Sequence, residues 1–447
     1  MRLLLAAILL VSPVTSPVEA QVLPKIQLET YSLANGLRVV LAPDRSTQVV
    51  TVDVWYDVGS RNEVRGRTGF AHLFEHMMFQ GSANVKKAEY FALIERAGGE
   101  TNASTAEDRT NYYAMLPSNR LNLGLWLEAD RMRALAITAE NLDNQREAVK
   151  EERRLRVDNQ PYAGVIYEGV YALEDSTRCF SYSHSVIGSM ADLNAAKVDD
   201  VKSFFDLYYA PNNATLVVAG DFEPTETRRL VESYFGGIPR GQPTPTVTCT
   251  PSFDRGEIRR PWPDSKATLP AAILAYRIPS FDDPDYPALA LLATMLGQGE
   301  SSRLNKTVVR TQRLAQGVFA GANLAGPRRG PGSLLVAGFA NQGIAVNAVE
   351  SAMADEIARI GREGVSRAEL DKAKNGYVAN RIQQQQISYF LAETIQEAAM
   401  FLGDPAKVNT EPARFLAVTV DDIRRVAAKY LKPANSAVFL VTPAAAQ

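Results

Sequence analysis

Residues 198–220 read VDDVKSFFDLYYAPNNATLVVAG, and residues 420–442 read VDDIRRVAAKYLKPANSAVFLVT. The two segments align without a gap at a constant offset of 222 positions, with Val198/Val420, Asp199/Asp421, Asp200/Asp422, Tyr208/Tyr430, Pro211/Pro433 and Asn213/Asn435 identical. Each has an amphipathic helical stretch, a Pro-Asn turn and then an apolar run suited to a buried strand. Self-similarity at a fixed offset marks a duplicated unit. The offset is close to half the 447 residues, which implies two related domains. The joint is expected in PRGQPTPTVTCTPSFDRG, residues 239–256, rich in proline and threonine and without apolar periodicity. Domain one then spans 25–240, the linker 241–256 and domain two 257–447.

Within domain one, LRVVLAPD (37–44) and QVVTVDVWYDVG (48–59) read as strands, TNYYAML (110–116) as another, and residues 137–157 as a long helix. Strands grouped before and after long helices suggest an α+β fold, a largely antiparallel sheet packed with helices in each domain, rather than a doubly wound parallel sheet. Nucleotide-binding loops are absent; GQGESSR at 297–303 lacks the glycine and lysine spacing they need.

The composition is that of an ordinary globular chain, 46% hydrophobic and 22% charged with a net charge of −2, so no nucleic-acid partner is expected. Residues 1–20 stand apart. Arg2 precedes an apolar run from Leu3 to Val11, then come Pro13, Pro17 and Val18-Glu19-Ala20 before Gln21. This is the pattern of a secretory signal peptide, its core too short to span a bilayer, and it directs the mature chain to the periplasm if the cell is bacterial. No later run is long enough for a membrane span. Cys179 and Cys249 are the two cysteines, and an oxidising compartment permits them to pair, although spacing alone does not bring them together.

Residues 70–79, FAHLFEHMMF, hold two of the three histidines in the chain. On a helix, positions i and i+4 share a face, so His72 and His76 present their imidazoles to one point, with Glu75 close by. His72-Leu73-Phe74-Glu75-His76 is HxxEH, the inverse order of the HExxH zinc motif. Two imidazoles hold a zinc ion while the carboxylate sits near its water without being a ligand. Phe70, Leu73, Phe74, Met77, Met78 and Phe79 are expected to bury the other faces. A catalytic zinc needs a third protein ligand, and NQREAVKEERRLRV (144–157) offers Glu147, Glu151 and Glu152. Periodicity does not choose among them. His184, alone before SVIGS, reads as a structural or surface histidine rather than a ligand.

These motifs resemble the insulinase or pitrilysin-type metallopeptidases, which include the mitochondrial processing peptidases. The likeness runs through HLFEHMMFQGS, TNASTAEDRTNYYAML, the EERR helix and HSVIGSMADLNAAKVDDVKSFFDLYYAPNNATLVVAGDF. It implies one zinc per chain, with a glutamate far downstream as third ligand; Glu152 stands 76 positions after His76 at the family's spacing. The resemblance thus assigns zinc to His72, His76 and Glu152 and the general base to Glu75. Gln145 stands where several relatives have a second glutamate, positioned to steady a ligand. Asn102, Ala103, Ser104 and Thr105 resemble the edge strand that binds peptide substrate through its backbone.

The resemblance further implies two homologous domains per chain and a clam-like pairing of two such units around a chamber. The 222 offset puts Thr294 opposite His72 and Lys374 opposite Glu152, so domain two is expected to lack a metal site. Many relatives carry there an arginine and, seven residues later, a tyrosine that support the transition state. Arg310 fits the first position, but Gly317 stands at the second, with Phe319 nearby. A heterodimer with a homologous subunit that supplies the Arg–Tyr pair follows, a homodimer being the alternative. A different reading is a non-catalytic scaffold or binding subunit, which the missing tyrosine favours and the intact HxxEH opposes.

Overall fold

The structure, a computed structural model, describes residues 23–249, 253, 255–324, 326 and 328–444. The signal-like residues 1–20 lie outside them. Two sheets are built. The first contains β1 (Glu29–Ser32), β2 (Arg38–Pro43), β3 (Val49–Tyr56), β4 (Glu100–Thr105), β5 (Thr110–Pro117) and β6 (Ala214–Gly220), in the spatial order β1-β2-β6-β3-β5-β4. The second contains β7 (Ile258–Asp264), β8 (Ala271–Ile278), β9 (Ala315–Ala322), β10 (Gly332–Ala340) and β11 (Ser436–Pro443), in the order β7-β11-β8-β10-β9. Pairing is antiparallel except for β2 with β6 and β7 with β11.

The duplication is visible strand by strand. Shifted by 222 positions, β3 falls on β8, and β6 begins at the start of β11. The repeat sequences themselves form the helices Val198–Tyr208 and Val420–Tyr430, followed by β6 and β11. The helices that matter for the site are α1 (Phe70–Met77), α2 (Ala139–Arg153), α3 (Val198–Tyr208), α4 (Tyr286–Gly297), α5 (Arg367–Gln385), α6 (Ser388–Phe401) and α7 (Val420–Tyr430). Helix α2 is shorter than the 137–157 read from periodicity, because residues Arg154–Asp158 widen into a π-helical turn.

Central strands such as β3 (VVTVDVWY) and β6 (ATLVVAG) are buried along nearly their whole length because both of their faces are covered, Thr51, Asp53 and Thr215 being the polar residues buried with the apolar ones. On β3, Val50, Val52, Val54 and Tyr56 join the core under the helices of their own half. The other face is covered from the second half of the chain. Leu391, Ala392, Ile395 and Ala398 of α6 pack on Val40, Ala42, Val217 and Ala219 of β2 and β6. Reciprocally, Val165 and Leu173 from the first half pack on Ala271, Ile273 and Ala275 of β8 and on Phe439 of β11. The covering segments are themselves 222 positions apart, Ile166 corresponding to Ser388. Each fully buried Leu, Ile or Val in these layers contributes about 1.5–3 kcal/mol by leaving water. Helix α6, placed by sequence in the second domain, thus completes the first sheet.

Cys179 and Cys249 are paired as a disulfide with their Cα atoms 5.1 Å apart, which ties the extended 239–249 stretch back to the first half. Among the described residues no helix is long and apolar enough to cross a membrane.

Candidate metal centre

Helix α1 begins at Gly69, which has a left-handed φ of 84° and no side chain to cap the exposed N–H groups. A carboxylate from outside does so: Glu63 accepts from the N–H of Gly69 (2.9 Å) and of Ala71 (2.8 Å). Phe70, Leu73, Phe74 and Met77 are buried, as their spacing requires, together with Met78 and Phe79 just beyond the helix. His72 and His76 turn the same way, their rings 4.9 Å apart and nearly perpendicular.

Helix α2 is capped by Thr138, whose Oγ1 accepts from Asn141 N–H. Leu142, Gln145 and Val149 form its buried stripe, and Glu152 extends that stripe by one more turn. This puts Glu152 against α1. Its Oε2 lies 3.5 Å from His72 Nε2 and 3.2 Å from His76 Nε2, while Oε1 accepts from Arg156 Nη1 at 2.9 Å. One ligand atom from each of His72, His76 and Glu152 falls within 4.8 Å of the other two, the one such trio of His, Cys, Asp or Glu among the described residues. Glu147 and Glu151 point away, exposed and paired with Lys150 and Arg154.

The protonation states suit a metal. Burial and the neighbouring His76 pull His72 down to about 4, so it is neutral near pH 7. The hydrogen bond from His76, with the charges around it, holds Glu152 at about 2 and therefore ionised. Burial lowers His76, but its hydrogen bond to Glu152 and the charge of Glu75 more than offset this and raise it above the ordinary imidazole value. A neutral imidazole, an ionised carboxylate and a second imidazole aimed at one point make a zinc-type donor set. His76 Nδ1 donates to Oε1 of Gln145 at 3.3 Å, so Gln145 fixes the ring from behind.

Glu75 lies on α1 beside this trio. Thr105 Oγ1 donates to its Oε2 at 2.6 Å, and burial raises its pKa above the ordinary glutamate value, opposed by that hydrogen bond and by His76 and Arg109. Thr105 ends β4, an edge strand of the first sheet, so Asn102, Ala103, Ser104 and Thr105 all stand on a sheet edge that runs past α1. The edge is braced from inside. Ser104 Oγ donates to Asn111 Oδ1 on β5, Arg109 Nη1 donates to Ser104 O and Oγ, and Asn111 Nδ2 donates to Glu393 of α6. Sequence reading missed Arg109, Asn111, Arg156 and Glu393, which carry no motif and meet only through the fold.

Arg310 is not brought to this centre. It sits in the π-helical turn Asn305–Thr311 of the second half, exposed and ion-paired with Glu300. Gly317 lies on β9, the edge strand of the second sheet, and Phe319 two residues on is 40% exposed. Thr294 on α4 donates to Ala290 O, and Lys374 on α5 donates to Leu416 O, so the duplicated positions are engaged in ordinary helix contacts. His184 lies away from the metal residues and pairs with Glu63.

Comparison with known proteins places this architecture. A family model described as Insulinase (Peptidase family M16) matches residues 38–172, and one described as Peptidase M16 inactive domain matches residues 195–377. The chain is 32% identical to zinc protease PqqE of Helicobacter pylori over 444 residues, covering 98% of each chain. It is 26% identical to an uncharacterised zinc protease of Streptomyces coelicolor, over 89% of this chain and 85% of the relative. The crystal structure of a protease from Helicobacter pylori superposes with a TM-score of 0.88 at 30% identity, covering 94% of this chain and all (100%) of that one. The periplasmic protease PqqL of Escherichia coli shares the fold with a TM-score of 0.76 at 20% identity, this chain covering 48% of its length. On this footing of two matched domains and an HxxEH helix, the chain belongs to the insulinase family of peptidases, family M16.

Proposed function

We propose that the chain is a zinc endopeptidase that hydrolyses unstructured peptides outside the cytoplasm, with zinc on His72, His76 and Glu152 and Glu75 as general base. The observation that carries this reading is the convergence of those three ligand atoms beside a half-buried Glu75 that is itself held by the last residue of an open sheet edge. A bound zinc ion supplies Lewis acidity and lowers the pKa of water. The chain's own residues do the rest. Glu75, its basicity raised by burial, takes a proton from the attacking water and returns it to the leaving amine. Thr105 orients the carboxylate for both transfers. The edge of β4, at Asn102 to Thr105, pairs with an extended peptide through backbone hydrogen bonds, which demands little of its sequence.

A secreted, periplasmic setting is supported by the signal-like residues 1–20 and the Cys179–Cys249 pair. The Arg–Tyr requirement is supported as a heterodimer by Gly317, which leaves this chain without a hydroxyl at that position, and Arg310 is then the residual substrate-binding member. The domain limits 25–240 and 257–447 follow the duplication. The test is cleavage of a quenched, unstructured peptide library by the zinc-loaded mature chain, with Glu75→Gln as control. The variant is expected to keep stoichiometric zinc and lose turnover; loss of zinc would make Glu75 a ligand, and equal turnover would remove it from the chemistry.

A further inference from the structure

One segment, residues 184–196, touches both ligand-bearing helices. On the α1 side, His184 Nε2 donates to Glu63 Oε2 (3.1 Å) and Ser60 O (3.0 Å), and its Nδ1 donates to Phe180 O (2.9 Å). Glu63, 5% exposed, is the carboxylate that caps α1. Asp192 accepts from the N–H and Oγ1 of Thr68, and Ser189 N–H donates back to Thr68. At the crossing, Gly188 meets Gly69 so closely that a Cβ on Gly188 would lie 2.4 Å from Gly69 Cα; both glycines have positive φ. On the α2 side, Arg153, the neighbour of Glu152, donates to Gly188 O (2.8 Å), and Arg146 donates to Leu193 O (3.0 Å) and Ala196 O (2.7 Å).

Every atom facing His184's ring nitrogens is an acceptor, and every atom facing the Glu63 carboxylate is a donor, so the pair is an ion pair. Burial lowers His184, but Glu63 and the two carbonyls more than offset it; burial raises Glu63 above the ordinary glutamate value, with His184 and the helix N–H groups offsetting only part of the rise. Such a pair, once broken, leaves an uncompensated charge at the start of α1. His72 follows Ala71 directly, so a shift of that first turn moves a ligand. Metal geometry tolerates only about 0.5 Å of such displacement.

We propose that His184 and Glu63 are positioning residues, the key of a clamp in which segment 184–196 holds α1 and α2 at the separation that lets His72, His76 and Glu152 bind one zinc ion. The inference rests on the metallopeptidase reading above. It is tested on the full mature chain with Glu63→Gln and His184→Gln, with Val231→Ala as control: Val231 is a core residue of the helix Pro224–Phe235 that makes none of these contacts and should lose thermal stability alone. Expected for both variants is a zinc affinity lower by about 10- to 100-fold, an altered absorption spectrum with cobalt(II) in place of zinc, and, at saturating zinc, a lower kcat with little change in KM. The control should keep the wild-type affinity and spectrum at its lowered Tm. Should Glu63→Gln not fold, His184→Gln carries the test, since it leaves the carboxylate on the helix N–H groups. Wild-type affinity and spectrum in the folded variants would overturn the clamp. A wild-type chain that binds no zinc would instead sink the metallopeptidase reading, and the clamp with it.

Discussion

At the scale of single residues, the candidate site is a set of short polar contacts in a mostly apolar setting, where each is worth more than at a surface. Thr105 illustrates it. Its hydroxyl aims one oxygen of Glu75, and a hydrogen bond to a charged group contributes about 1.5–3 kcal/mol. Thr105→Val removes the hydroxyl at nearly constant volume, so kcat should fall about tenfold or more with zinc content unchanged, as steady-state kinetics beside metal analysis would reveal. His72, Glu75 and His76 were legible from sequence because their relation is local, set by helical periodicity. Glu152 was not separable from Glu147 and Glu151 by periodicity, because choosing among them requires knowing which face of α2 meets α1. Gln145 was readable only by analogy, and its contact with His76 spans 69 positions.

At the scale of elements, α6 couples the halves. Gln396, fully buried, donates to the carbonyls of Asp53 and Thr215, while Glu393 accepts from Trp55 and Asn111, so the inner strands β3, β5 and β6 of the sheet whose edge is β4 are braced by a helix of the other half. Glu397 on the same helix is pushed up to about 7, chiefly by burial, with Arg381 opposing and Glu393 and Glu411 adding to it. The sign follows from linkage. The folded state binds this proton more tightly than the unfolded one, so the contribution is fully present below about pH 4.5 and is lost as pH rises through 7. The loss by pH 8 is roughly 3 kcal/mol. Urea denaturation between about pH 5 and 8 should therefore show a decline that Glu397→Gln flattens; a variant with the wild-type slope would remove Glu397 as its source.

At the scale of the whole molecule, the edge strand β9 offers a direct test of what the second half lacks. A Cβ on Gly317 would meet nothing within 4 Å, so a side chain can leave the strand there without an immediate clash. If the missing hydroxyl limits a chain working without a tyrosine-bearing subunit, Gly317→Tyr should raise kcat by about tenfold or more, the weight of a transition-state donor. No gain in a folded variant would argue that catalysis by this chain does not depend on that position. The disulfide is a second long-range feature, closing 70 residues of chain. Chain-entropy arithmetic gives it about 4 kcal/mol, so Cys179→Ser should move the urea midpoint down by a corresponding amount without altering zinc content.

The sequence by itself determined what is periodic or repeated. The 222-position repeat of a helix, a Pro-Asn turn and a strand implied two related domains, and HxxEH placed two imidazoles and a carboxylate on one helix, because helical and strand geometry make such patterns readable over a few residues. The tertiary structure decided what depends on the path of the chain between them. It brought Glu152 rather than Glu151 to the histidines, joined Cys179 to Cys249, crossed Ile166 and Ser388 segments onto each other's sheets, and set His184 against Glu63 across 121 positions. These pairings are chosen by packing of whole faces, where exclusion of water from two covered sheets favours one mutual arrangement of the elements, and no local pattern carries that information.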